Sequence, residues 1–180
     1  MGASLQRGAR RGSVYFVALG SNLGDREATL RRAWTMLMDL CLEAELSPLY
    51  ETRPMYVVDQ PLYLNAVGRL VCGFAPKVML GHLQRIEKDL GRDRSKELRM
   101  GPRTLDLDIL LCGDLVIDSP LLTIPHPRIT ERMFVLVPLL ALAPGLKDPR
   151  TGIRYAETLE RLRSESHEAD AGGVYLYPPA

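Results

Sequence analysis

Apolar residues run unbroken from Val14 to Leu19 and then give way to the turn-formers GSNLGD, the pattern of a buried strand that stops at a loop. From Asp25, a residue suited to capping a helix, Leu30, Trp34, Leu37 and Cys41 recur at helical spacing between arginines, which predicts an amphipathic helix over 26–42. Two strand-like segments follow, Leu46 to Thr52 and Tyr63 to Val71. The loop joining them, RPMYVVDQPL, is about ten residues long, and loops near that length are often functional. Pro76 fits the first turn of a second helix, with Met79, Leu83, Ile86 and Leu90 as its apolar stripe and Gly91 as its stop. After the basic loop GRDRSKELRMGPR comes a strand, TLDLDILLC, and Gly113-Asp114 suits a two-residue hairpin turn into LVID.

The order β-α-β-β-α-β predicts an α+β fold with a ferredoxin-like core: a largely antiparallel sheet, two helices on one face, and the other face left for loops and a ligand. Residues 124–144 predict an irregular entry and a helix disturbed at Pro138, and residues 155–165 a further short helix. AGGVYLYPPA reads either as a loose tail or as an added edge strand. The chain divides into a flexible basic segment over 1–12, a single domain over 13–165 and a tail over 166–180.

Charge narrows the partners. Lys plus Arg number 23 and Asp plus Glu 22, so no whole-protein attraction to nucleic acid or to an anionic membrane is indicated. VYFVAL is shorter than the roughly 7–15 residues of a signal core, and Gln6 breaks the myristoylation pattern. No apolar run approaches the roughly 18 residues that span a bilayer. Cys41, Cys72 and Cys112 are widely spaced in apolar segments and read as reduced core residues, so a cytoplasmic protein is expected.

Candidate chemistry centres on TLDLDILLC. Side chains alternate along a strand, so Asp106 and Asp108 leave one face while Leu105, Leu107 and Ile109 leave the other. Their Cα atoms would lie roughly 6.5 Å apart, close enough for two carboxylates to hold two metal ions, and hard oxygen donors favour Mg2+ over zinc. A solvated strand face is the plain alternative. Arg92, Arg94, Lys96, Arg99 and Arg103 lie just upstream, and metal ions with arginine forks together suit a polyphosphate, although a basic loop also serves solubility. No GxxxxGK[ST] occurs, and GSNLGD reads as a structural turn. His126, between two prolines, reads equally as a phosphate donor or a structural loop residue; His82 and His167 read as surface or helix-packing residues.

With these residues in view, the chain closely resembles the 6-hydroxymethyl-7,8-dihydropterin pyrophosphokinases of folate biosynthesis. The motifs that carry the resemblance are ALGSNLGD, YET-P with DQPLYLNA, QRIEKDLGR, RMGPRTLDLDILL and IPHPRITERMFVLVPL, spanning Val14 to Pro144. The resemblance implies transfer of the β,γ-diphosphate of ATP to the pterin hydroxymethyl oxygen, leaving AMP. It implies that Asp106 and Asp108 bind two Mg2+ ions with the ATP, and that Arg94 and Arg103 grip its phosphates with help from His126, Arg92 and Arg132. Gln84, Glu87, Ile109 and Thr123 would lie around the nucleotide. For the pterin it implies stacking by Tyr63 and Phe134, Asn65 reading the ring's amide edge, backbone at Thr52 and Met55, and Met100 at the edge of the site.

Met100, Arg53 and Pro127 depart from the family pattern, which has Trp in some members, Pro and Tyr there; Met can still cover a ring face. Loops 53–62 and 92–101 are expected to close over substrates. The resemblance also leaves room for a functional link to the next folate-pathway enzyme. Two rival readings remain on the same fold: a two-metal nucleotidyltransferase, which would release pyrophosphate, and a nucleotide-binding module without turnover.

Overall fold

β1 (Ser13–Ser21) is apolar along most of its length and takes an interior place in the sheet, bonded antiparallel to β4 (Tyr63–Cys72) on one side and β5 (Asp106–Cys112) on the other. The computed structural model describes residues 12–55, 59–92, 101–165 and 173–178. The expectations placed on residues 1–11, on Arg94, on Met100 and on much of the two loops therefore lie outside the described residues. β4 is long enough to pair in succession with two short strands, β2 (Glu43–Leu46) and β3 (Tyr50–Thr52). The sheet runs β5-β1-β4-β3, which with this chain order is the ferredoxin-like arrangement. A last strand, β8 (Val174–Leu176), extends it beyond β3, so the C-terminal segment is the added edge strand of the two alternatives.

Helices α1 (Arg26–Met38) and α2 (Pro76–Asp89) pack on one face. Asp25 caps α1 by accepting from Ala28 N at 3.0 Å. Leu30, Ala33 and Leu37 of α1 and Met79, Leu83 and Ile86 of α2 are buried with Tyr15, Val17 and Leu19 of β1. The chain leaves α1 earlier than the apolar spacing suggested, because it must turn for Leu42 N to donate to Val71 O at 2.7 Å and start β2.

The opposite face is not left wholly to loops. α3 (Met133–Leu142) and α4 (Tyr155–Glu165) cover part of it, burying Phe16, Val67, Leu110 and Leu111 with Val135, Leu136 and Leu139. Every residue of MFVLVPLLAL is apolar, so α3 needs cover on several sides, and Pro138 is carried inside the helix. Along β5 the burial follows from this: Asp106 and Asp108 are only partly buried, whereas Leu110 and Leu111 lie beneath helices.

Three further expectations are corrected. Leu46 to Thr52 is not one strand, because Ser47 turns its hydroxyl to accept from Val67 N at 3.0 Å and Pro48 has no N–H to offer a ladder. LVID does not form a hairpin with β5. Gly113, at φ +50°, turns the chain away, and β6 (Ile117–Asp118) pairs instead with β7 (Thr123–Ile124). Cys41 and Cys72 form a disulfide rather than standing reduced, because the β2–β4 register carries residues far apart in sequence side by side; Cys112 is buried and free.

The Trp34 ring of α1 lies on Gly68 of β4, where an added Cβ would run into Trp34 Cζ3. Overpacking of this kind costs about 1–3 kcal/mol. Gly68→Ala is therefore expected to lower Tm by roughly 3–10 °C in thermal denaturation. An unchanged Tm would mean that the indole moves aside freely.

Candidate active site

β5 is an edge strand, and an edge leaves backbone groups without ladder partners. Glu87, on the last turn of α2, supplies one acceptor: its Oε1 takes the Leu107 N–H at 2.9 Å. Glu87 is only 1% exposed, and a carboxylate so buried needs a cation. Gly91, at φ +91°, ends α2 and turns the chain so that Arg92 meets that need, pairing with Glu87 Oε1. The same Arg92 Nη1 donates to Asp106 Oδ1 at 2.6 Å, and Arg103 Nη1 donates to Asp106 Oδ2 at 3.0 Å.

These contacts give the two aspartates different electrostatics. Burial acts to raise the pKa of Asp106, but attraction to Arg103 and Arg92 outweighs it and leaves the group lowered and ionised. Asp108 is pushed up to about 6, first by desolvation in the cleft and then by the neighbouring charge of Asp106. His126 is lowered to about 4 by burial and by Arg132, so it is neutral at pH 7. Its Nδ1 accepts from Arg128 N at 3.2 Å, which puts the ring proton on Nε2, 3.8 Å from Asp108 Oδ2.

Among the described residues, no group of three or more carboxylate, histidine or cysteine side chains forms a closed metal cage. Two hard oxygen donors on one face, with cations around them, fit Mg2+, which keeps several waters and takes further oxygens from a phosphate.

A second group of polar and aromatic residues lies across β1. Asn65 of β4 and Thr52 of β3 are both nearly buried, with Asn65 Nδ2 donating to Thr52 Oγ1 at 2.8 Å. Tyr63 OH donates to Gly101 O at 3.4 Å, and the Arg132 guanidinium stands 5.6 Å from the centre of the Phe134 ring at the start of α3.

A model of the 7,8-dihydro-6-hydroxymethylpterin-pyrophosphokinase (HPPK) family matches residues 16–144. The chain belongs to the HPPK family. It is 45% identical over 137 residues to the 2-amino-4-hydroxy-6-hydroxymethyldihydropteridine pyrophosphokinase of Pseudomonas aeruginosa, covering 74% of this chain and 83% of that protein. It is 41% identical over 169 residues to folic acid synthesis protein fol1 of Schizosaccharomyces pombe, covering 93% of this chain and 22% of that protein. A mutant HPPK-DHPS of Plasmodium falciparum matches in fold with a TM-score of 0.70 at 14% identity, over 92% of this chain and 46% of that one. The chain thus spans only about a fifth to a quarter of the length of the fungal and plant relatives it matches.

For an HPPK chain, the structure gathers Glu87, Arg92, Arg103, Asp106, Asp108, His126 and Arg132 on one side of β1, with Asn65 and Thr52 on the other. Ile109 is 3% exposed with its side chain in the core, so only its backbone could face a ligand. Gln84 is exposed on α2, Thr123 sits in the β6–β7 hairpin, and Met55 is 54% exposed on its loop.

Sequence reasoning passed over Asn22, which is 1% exposed and joins two loops. Its Oδ1 accepts from Arg103 N at 2.7 Å, its N–H donates to Arg103 O at 3.1 Å, and its Nδ2 donates to Gln60 Oε1 at 3.2 Å. An asparagine followed by an acid-capped helix gave only a turn signal, and both partners are distant in sequence.

The raised pKa of Asp108 sets a sign for stability. Its neutral form is favoured in the fold, so its negative charge costs stability fully above about pH 6 and progressively less toward pH 4. The side chain is 41% exposed, and solvent screening holds that cost to about 1 kcal/mol. Asp108→Asn is expected to raise Tm by about 2–4 °C at pH 8, with the gain fading toward pH 4. A Tm difference that does not vary with pH would contradict this electrostatic origin.

Proposed function

We propose that the protein transfers the β,γ-diphosphate of ATP to the hydroxymethyl group of 6-hydroxymethyl-7,8-dihydropterin, giving AMP and the pterin diphosphate for folate synthesis. The observation that carries this reading is the Asp106–Asp108 pair on one strand face with Arg92, Arg103, His126 and Arg132 around it. Family membership supports it, as do the named activities of the bacterial relatives.

In this reading the pterin hydroxyl oxygen attacks the β-phosphorus, the bond from that phosphorus to the α,β-bridging oxygen breaks, and the oxygen leaves with AMP while the hydroxyl proton passes to solvent. Mg2+ held by Asp106 and Asp108 would neutralise charge along the triphosphate. Arg103 and Arg92 bind phosphate oxygens as forks, and Arg94 is assigned the same role. His126, neutral with its proton on Nε2, donates to a phosphate oxygen without adding charge. Glu87 acts through Arg92 and the β5 backbone, holding both in place. Asn65 reads the amide edge of the pterin, and Tyr63 and Phe134 flank its ring. With the acceptor already ordered and its surroundings charged, positioning and charge stabilisation carry the reaction without a dedicated base.

The fungal and plant relatives hold this region within longer folate-synthesis proteins, which supports a link between the product and the next step of that pathway.

Incubation with ATP, Mg2+ and 6-hydroxymethyl-7,8-dihydropterin should give AMP and pterin diphosphate in equal amounts. Release of ADP, release of pyrophosphate, or no turnover would overturn the assignment. Asp108→Ala should cut turnover by at least about 100-fold, the scale of losing one charge-stabilising group, with the fold intact by circular dichroism. Near-normal rates in that variant would remove Asp108 from the mechanism.

A further inference from the structure

Gly20 is the register partner of Asn65 on β4 and of Asp106 on β5, so a single residue of β1 stands between the two halves of the site. Two inter-strand spacings separate its neighbours, about 10 Å from the backbone of one to that of the other. Tyr15, Val17 and Leu19 of β1 point into the core beneath α1 and α2, and Phe16 points to the α3 side. By strand alternation, a side chain at position 20 would rise on the same face as Phe16, between Asn65 and Asp106.

Nothing in the backbone demands glycine there. Position 20 lies within a regular ladder, and its φ is not among the positive values found at Gly24, Gly91, Gly113 and Gly152. Glycine inside a strand is destabilising relative to alanine, so its presence calls for another reason. The space above supplies one. A Cβ at position 20 would lie 3.2 Å from Asn65 Oδ1 and 3.9 Å from Asp106 Cβ, with no other atom within 4 Å.

We propose that Gly20 is the floor of the transfer point, and that its missing side chain leaves room for the pterin hydroxymethyl group and the triphosphate to meet. This rests on the reading of the site as a pterin diphosphokinase. Gly20 touches no reacting atom in this role; it sets the approach distance. A methyl group on the floor would hold the two substrates apart, and losing near-attack geometry by about 1 Å costs on the order of 100-fold.

The test sets stability against turnover in Gly20→Ala and Gly20→Val. Gly20→Ala, whose Cβ requires Asn65 Oδ1 to give by a few tenths of an ångström, should stay folded with a Tm within a few degrees of the unmodified protein while kcat falls about 10- to 100-fold, and Gly20→Val should fall further. A non-hydrolysable ATP analogue with Mg2+ should bind Gly20→Ala nearly as it binds the unmodified protein, whereas binding of the pterin should weaken more in the presence of that analogue than in its absence. Unchanged kcat and unchanged joint binding in Gly20→Ala would overturn the proposal, as would a Tm that falls in step with activity. If the unmodified protein binds neither substrate, the functional reading itself fails and the role of Gly20 falls with it.

Discussion

Glu87 is a carboxylate with almost no access to water, and such a charge survives folding only where the protein supplies both a cation and hydrogen-bond donors. Arg92 is the cation and the Leu107 N–H is a donor, so the end of α2 is bound to the edge of β5. Arg92 then reaches Asp106, and Arg103 completes the set, so the buried charge behind the strand fixes the direction of the charges in front of it. The site inherits its rigidity from the core through this relay. Asp108 stands outside it, and the difference between an ionised Asp106 and a reluctant Asp108 follows from which of them the arginines reach.

Much of this frame could be read from residue order alone, and where reading failed the reasons are physical. β1, α2 and α4 have clear periods and little competition, and the structure places them close to their expected limits. Strand alternation correctly put both aspartates on one face. Pairing partners were harder, because register is set by contacts between distant segments. LVID has no local feature to say that it meets Thr123–Ile124 rather than β5, and Cys41 has none to say that it meets Cys72. Ser47 and Pro48 did carry a local warning of a broken strand, through a hydroxyl and a missing donor.

The same limit applies within the site. The cluster of arginines before β5 pointed to anion binding, but Asn22 is invisible in sequence because its hydrogen bonds reach residues about 40 and 80 positions away. The resemblance sets Glu87 near the nucleotide but gives no sign of its burial, and the structure shows its carboxylate enclosed and paired with Arg92. Burial is a property of the packed molecule, and a polar residue on a helix gives little sign of it.

Pro138 lies four residues after Phe134 in α3. A proline has no N–H, so the carbonyl of Phe134 goes without the bond that the helix would normally return to it. The turn bearing the ring is thus anchored by the burial of Val135 and Leu136 against the sheet more than by its own backbone. With one backbone bond fewer tying that turn to the rest of α3, the direction of the Phe134 ring is set more by how its neighbours seat on the sheet than by the helix that carries it.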